Sequence, residues 1–153
     1  MIKRLFTQVV EAISSSEPDV TENRDSALRL ATAVLMIDVA RADAVFDESE
    51  FDKVLTLAEK HFGLSPDEAA ELVNEAGDKA ENIVSVHEFT TLLHENLSAD
   101  EKEHIVALLW KIAYADGRLD KFEDSLVLKI SDLLYVSRGR VMRLKHDAEK
   151  AAR

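Results

Sequence analysis

Ala42-Asp43-Ala44-Val45-Phe46-Asp47-Glu48-Ser49-Glu50 and Ala115-Asp116-Gly117-Arg118-Leu119-Asp120-Lys121-Phe122-Glu123 are two copies of one pattern, A-D-x-x-Φ-D-x-x-E, where Φ is a large apolar residue. Asp43 and Asp116, Asp47 and Asp120, and Glu50 and Glu123 are each 73 residues apart. Each copy follows a strongly apolar run and precedes an amphipathic one. The frame is therefore two helix–acidic turn–helix units.

Outward from the turns, the helix before the first copy spans roughly 22–42 and is apolar on nearly every side from Leu28 to Ala40. A helix of that kind is buried on several faces. Ile105, Val106, Leu108, Leu109, Trp110, Ile112 and Ala113 give the run before the second copy the same character, and Trp110 reads as core. Behind the first turn, Phe51, Val54, Leu55, Leu57 and Ala58 form the inner stripe of a helix over roughly 48–62, with Gly63 as its stop. Behind the second, Asp120 opens a helix carrying Phe122, Leu126, Val127, Ile130, Leu133 and Leu134. The match continues beyond the turns: Leu35 with Leu108, Val39 with Ile112, Val54 with Val127, and Phe62-Gly63-Leu64-Ser65 with Leu134-Tyr135-Val136-Ser137. Two copies are too few for a solenoid. A duplicated domain closing about a pseudo-twofold axis is expected, with the two apolar helices packed together.

The remaining punctuation adds helices. Ser65-Pro66-Asp67-Glu68 is a capped start with Pro at the first position, and Gly77-Asp78 is its expected end. Ser85-Val86-His87-Glu88 starts a helix to about Asn96, Ser98-Ala99-Asp100-Glu101 starts the next, and Ser137 opens the last. Residues 2–14 read as an amphipathic helix with Leu5, Val9, Ala12 and Ile13 on one face, and Ser14–Asp19 as a polar connector. The sequence thus predicts an all-α, single-domain bundle of about seven to eight helices: an amphipathic helix and connector over 1–20, and the duplicated helical domain over 21–153.

Composition narrows the function. The chain has 153 residues, a formal net charge of −11 and no cysteine. The charge disfavours nucleic acid and anionic lipid and suits divalent cations or basic partners. Without cysteine there is no disulfide, thiolate zinc site or thiol nucleophile. Met1-Ile2-Lys3-Arg4-Leu5-Phe6 begins like a signal peptide, but Gln8 and Glu11 interrupt the apolar run and no cleavage site follows. No window is long and apolar enough to span a bilayer. A cytoplasmic location is expected. Packing of residues 2–14 on the domain's own core is favoured over a peripheral inner-membrane contact through Lys3, Arg4 and Phe6.

The acidic turns carry two readings. Asp47/Glu50 and Asp120/Glu123 fit a capping box, the Asp taking the third N–H and the Glu reaching back. That leaves Asp43 and Asp116 unexplained. Each follows the carboxyl end of a long helix, where the dipole opposes an anion by roughly 0.3–1 kcal/mol. The spacing of Asp116, Gly117, Leu119, Asp120 and Glu123 also overlaps the second half of an EF-hand loop. Ile112 and Tyr114 stand where its first ligands belong, so one turn alone is too poor in oxygen. Two turns together offer six carboxylates, the shell a hard ion such as Ca²⁺ or Mg²⁺ requires.

With A-D-G-R-L-D-x-x-E in its second copy, the chain resembles the TerB family of tellurite-resistance proteins over roughly 25–148, and the TerB-like domain of membrane-anchored DnaJ-type co-chaperones. The resemblance implies a duplicated helical bundle, a stress-response setting, and a divalent-cation site at Asp43, Asp47, Glu50, Asp116, Asp120 and Glu123. The first copy departs at Ala44, where the second has Gly117.

No other motif competes. His61, His87, His94, His104 and His146 lack zinc-protease spacing and read as surface residues, and no phosphate loop or nucleophile elbow occurs. Arg138, Arg140, Arg143 and Lys145 form a basic patch expected to balance the protein's own acids. No catalytic or organic-cofactor residues are assigned. The expected protein is a non-enzymatic, cation-responsive scaffold or sensor with protein partners. The alternatives are a metal-free interaction module whose acids only cap helices, and a carboxylate-bridged metalloenzyme, which would require the Glu-x-x-His pairs absent from the apolar helices.

Overall fold

The computed structural model describes residues 20–42, 48–80, 87–115 and 119–152, with side chains from residue 25 and, after the first turn, from residue 50. Seven helices lie among them: α1 (Val20–Ala40), α2 (Glu48–Phe62), α3 (Pro66–Ala80), α4 (His87–Asn96), α5 (Ala99–Ala113), α6 (Lys121–Leu133) and α7 (Arg138–Ala151). Among the described residues there is no strand. The expected helix over residues 2–14, its connector and Ser85 fall outside the described residues.

The duplication is visible in the packing. α3 lies along α1 as α7 lies along α5, and each second helix packs on its own central helix. α1 and α5 pack on one another. The cross-contacts are reciprocal: α2 meets α5, and α6 meets α1. Reciprocity of that kind is what a twofold relation demands. α4 joins the units and rests on α1 and α6.

Both central helices are buried as their composition requires. Ala31, Ala33, Val34, Leu35, Met36, Val39 and Ala40 are fully buried on α1, as are Val106, Leu109 and Trp110 on α5. Each buried large aliphatic side chain contributes roughly 1.5–3 kcal/mol. These two helices therefore fix where everything else docks. No described helix is long and apolar enough to cross a membrane.

The capped starts form as read. Ser65 accepts from Glu68 N–H at 3.1 Å while Glu68 accepts from Ser65 N–H at 3.0 Å. Ser98 and Glu101 make the same pair at 3.2 and 2.9 Å. Those bonds hold the exposed Glu68 carboxyl below its usual pKa. Both second helices end alike, with Gly63 at φ 65° and Tyr135 at φ 59°, and with the next residue's N–H donating back five residues, Leu64 to Glu59 and Val136 to Ser131.

Two expectations are corrected. Gly77 does not stop α3, which runs on to Ala80. Its flank faces Ile37 of α1, whose Cδ1 lies 3.9 Å from where a Cβ would stand. Packing on α1 carries the helix past a residue that would weaken it in isolation. Phe122 is 55% exposed rather than inward. The Lys121 ammonium lies 5.2 Å from its ring centre and covers one face.

Candidate functional site

Among the described side chains, four helices carry a glutamate at their third position, and they divide into two kinds. Glu68 of α3 and Glu101 of α5 are exposed and serve as caps. Glu50 of α2 and Glu123 of α6 are buried, 4% and 3% exposed. The buried pair belongs to the two acidic turns and is related by the 73-residue repeat. Burying a carboxylate is costly unless hydrogen bonds or a cation compensate it. Position in the helix does not set the difference, since all four share it. Tertiary placement of the starts of α2 and α6 does.

Asp120 caps α6 with extended backbone, φ −78° and ψ 146°. Its Oδ2 accepts from the Phe122 N–H at 2.8 Å. The expected bond to the third N–H is therefore replaced by one to the second. The Glu123 side chain is buried in the interior. Asp43, Asp47 and Asp116 lie outside the described residues. Among the described residues, no three acids or histidines converge in the manner of a metal site. Glu50, Asp120 and Glu123 alone do not make a complete shell.

Asp38 is an acid that the motif reading passed over. It stands two residues before the end of α1, half-buried. Burial raises its pKa, against the lowering influence of Arg41 and of Lys129 on α6. The signal was present: Asp38 is the one charge between Ala31 and Ala40.

The basic patch is largely neutralised from within. Arg138 pairs with Asp132 at 3.0 Å, Lys145 with Asp124 at 2.8 Å, and Arg140 with Glu103. Glu103 also raises the Arg140 pKa. Lys145 stands 5.3 Å from the centre of the Trp110 ring, which is fully buried as expected.

A separate groove of about 450 Å³ opens between α1, the end of α2 and the start of α5. Leu28, Phe62, Leu97 and Ile105 line it, with Arg29 at its side. The rings of His61 and His104 are 6.5 Å apart at its mouth. Burial, then His104 and Lys111, lower the His61 pKa. His94, also read as a surface residue, is instead half-buried, with its ring 4.4 Å from that of Tyr135.

The model of the tellurite resistance protein TerB family matches residues 29–146, from the middle of α1 through most of α7. The chain belongs to the TerB family. Neither curated proteins nor solved structures gave a match. The TerB match contains both acidic turns, the carboxyl-terminal half of α1, all of α5 and both second helices.

Proposed function

We propose that this TerB-family chain is a divalent-cation-binding scaffold acting in a tellurite-resistance-like stress response on the cytoplasmic side. The ligands would be Asp43, Asp47, Glu50, Asp116, Asp120 and Glu123. One observation carries the reading: Glu50 and Glu123 are buried in both copies, whereas Glu68 and Glu101 at the same helical position face solvent. The donors are all carboxylate oxygens, which fits a hard ion such as Ca²⁺ or Mg²⁺ and not a soft one. Completion of the shell depends on Asp43, Asp47 and Asp116, which lie outside the described residues.

A bound ion would stabilise the folded chain by mass action and join the starts of α2 and α6. The role is structural, and no step of bond making is assigned to it. Partner proteins would read the ion-tightened surface. Thermal unfolding with and without millimolar Ca²⁺, Mg²⁺ or Mn²⁺ tests the proposal. A melting temperature that rises with ion concentration supports it. An unchanged one leaves a metal-free interaction module.

A further inference from the structure

α3 and α7 are twofold mates that carry opposite charge. Ser65 caps α3 and Ser137 caps α7, 72 residues apart. The same interval takes the buried Ala69 and Ala76 onto the buried Val141 and Ala148, so both helices turn the same face to the core. Their outward faces can be compared position by position. Glu68 matches Arg140, Glu71 matches Arg143, and Asp78 matches Lys150. All six are exposed, and each match reverses the sign. Among matched positions charged in both helices, Glu75 and Asp147 alone keep it.

These charges are not all neutralised within the chain. Arg138, Arg140 and Lys145 of α7 have ion-pair partners, but among the described residues Glu71, Arg143 and Lys150 enter no ion pair. Met142, 44% exposed, stands beside Arg143, where α3 has the small Ala70. α3 rests on α1 and α2, and α7 on α5 and α6. The twofold relation between α1 and α5 therefore sets an acidic face on one flank and a basic face on the other. A symmetric contact through either flank would put like charge on like. A head-to-tail contact pairs opposites and leaves one face of each kind free for the next copy. Exposed pairs contribute little singly, so several must act together and the contact is weak. The general repulsion between chains of net charge −11 is largely screened beyond about 10 Å at 0.1 M salt.

We infer that the chain associates head to tail, the acidic face of α3 around Glu71 docking on the basic face of α7 around Arg143 of the next copy. The occupant of each face is a second copy of this chain. This goes beyond the cation proposal and does not depend on it.

Sedimentation velocity of the full chain in chelator-treated buffer tests the inference. At about 0.1 M salt the mean sedimentation coefficient should rise with protein concentration, and at roughly 1 M, where screening reaches about 3 Å, it should return to that of a monomer. Glu71→Arg and Arg143→Glu lie on exposed positions and should leave the melting temperature nearly unchanged. Each alone should weaken association roughly tenfold or more, because one face then meets its like. An equimolar mixture of the two variants should associate again, since each supplies the face that the other lacks. A wild-type chain that stays monomeric at about 0.1 M salt, or a mixture that stays monomeric, would overturn the inference. So would association that neither variant weakens. A monomeric chain that sediments with anionic phospholipid vesicles, and no longer does so as Arg143→Glu, would give the basic face to a membrane and contradict the head-to-tail contact.

Discussion

Tyr135 occupies in the second unit the left-handed position that Gly63 occupies in the first, at φ 59° against 65°. A side chain there costs about 1 kcal/mol or more relative to glycine. Tyr135 is 76% exposed, and its ring lies against His94. Tyr135→Ala and Tyr135→Gly both remove that ring contact, but only Ala keeps the strain. Urea denaturation should show the Gly variant more stable than the Ala variant by about 1 kcal/mol. At Gly63 nothing lies within 4 Å of an added Cβ, so Gly63→Ala should destabilise by a similar amount through backbone alone. An alanine tolerated as well as glycine at both positions would refute the strain assignment.

Gly77 offers the opposite case. It lies inside α3, and the nearest atom to an added Cβ is at ordinary contact distance. Gly77→Ala should stabilise the fold by roughly 0.5–1 kcal/mol, the helix-interior difference between the two residues. Thermal unfolding in ion-free buffer is the check. A lowered melting temperature would mean that α1 and α3 approach too closely for a methyl group.

Asp38 gives a pH dependence with a defined sign. Its folded pKa is raised, chiefly by burial. The folded state therefore holds the proton to higher pH than the unfolded state does. Stability contributed by protonated Asp38 is lost as pH rises from the ordinary aspartate range through the raised value. Asp38→Asn should be more stable than wild type at pH 7, with the gain shrinking toward pH 4. A gain that grows on acidification would contradict this.

Capping and ion binding by Asp120 can be separated, because Asn caps as well as Asp. Asp120→Asn should leave ion-free stability within a few tenths of a kcal/mol while weakening the response to Ca²⁺ or Mg²⁺. Ser98→Ala, at a cap far from either acidic turn in sequence, should cost about 1 kcal/mol and leave the ion response intact. If both variants behaved alike in an ion titration, Asp120 would be a cap and nothing more.

The helices were legible because their signals are local. The apolar runs of α1 and α5 and the Ser65 and Ser98 boxes act within a few turns, and the 73-residue repeat shows by direct comparison of the two copies. Gly77 misled because packing of α3 on α1 outweighs its local weakness. Phe122 misled because it lies off the face of α6 that carries the buried Glu123, Val127, Ile130 and Ser131. The contrast among the four glutamates was not legible at all. Ser98/Glu101 and Asp120/Glu123 spell the same box, and only tertiary placement buries one and exposes the other. The groove was hidden for a similar reason, since His61 and His104 are brought together by the contact of α2 with α5.

The central claim is that the two acidic turns serve one ion. Amide NMR of the uniformly labelled chain during Ca²⁺ or Mg²⁺ titration tests it most directly. The account predicts that amides around 43–50 and 116–123 shift together along one binding curve, and that Glu50→Gln abolishes the shifts in both turns. Turns that titrate independently, or do not respond to millimolar ion, would contradict it.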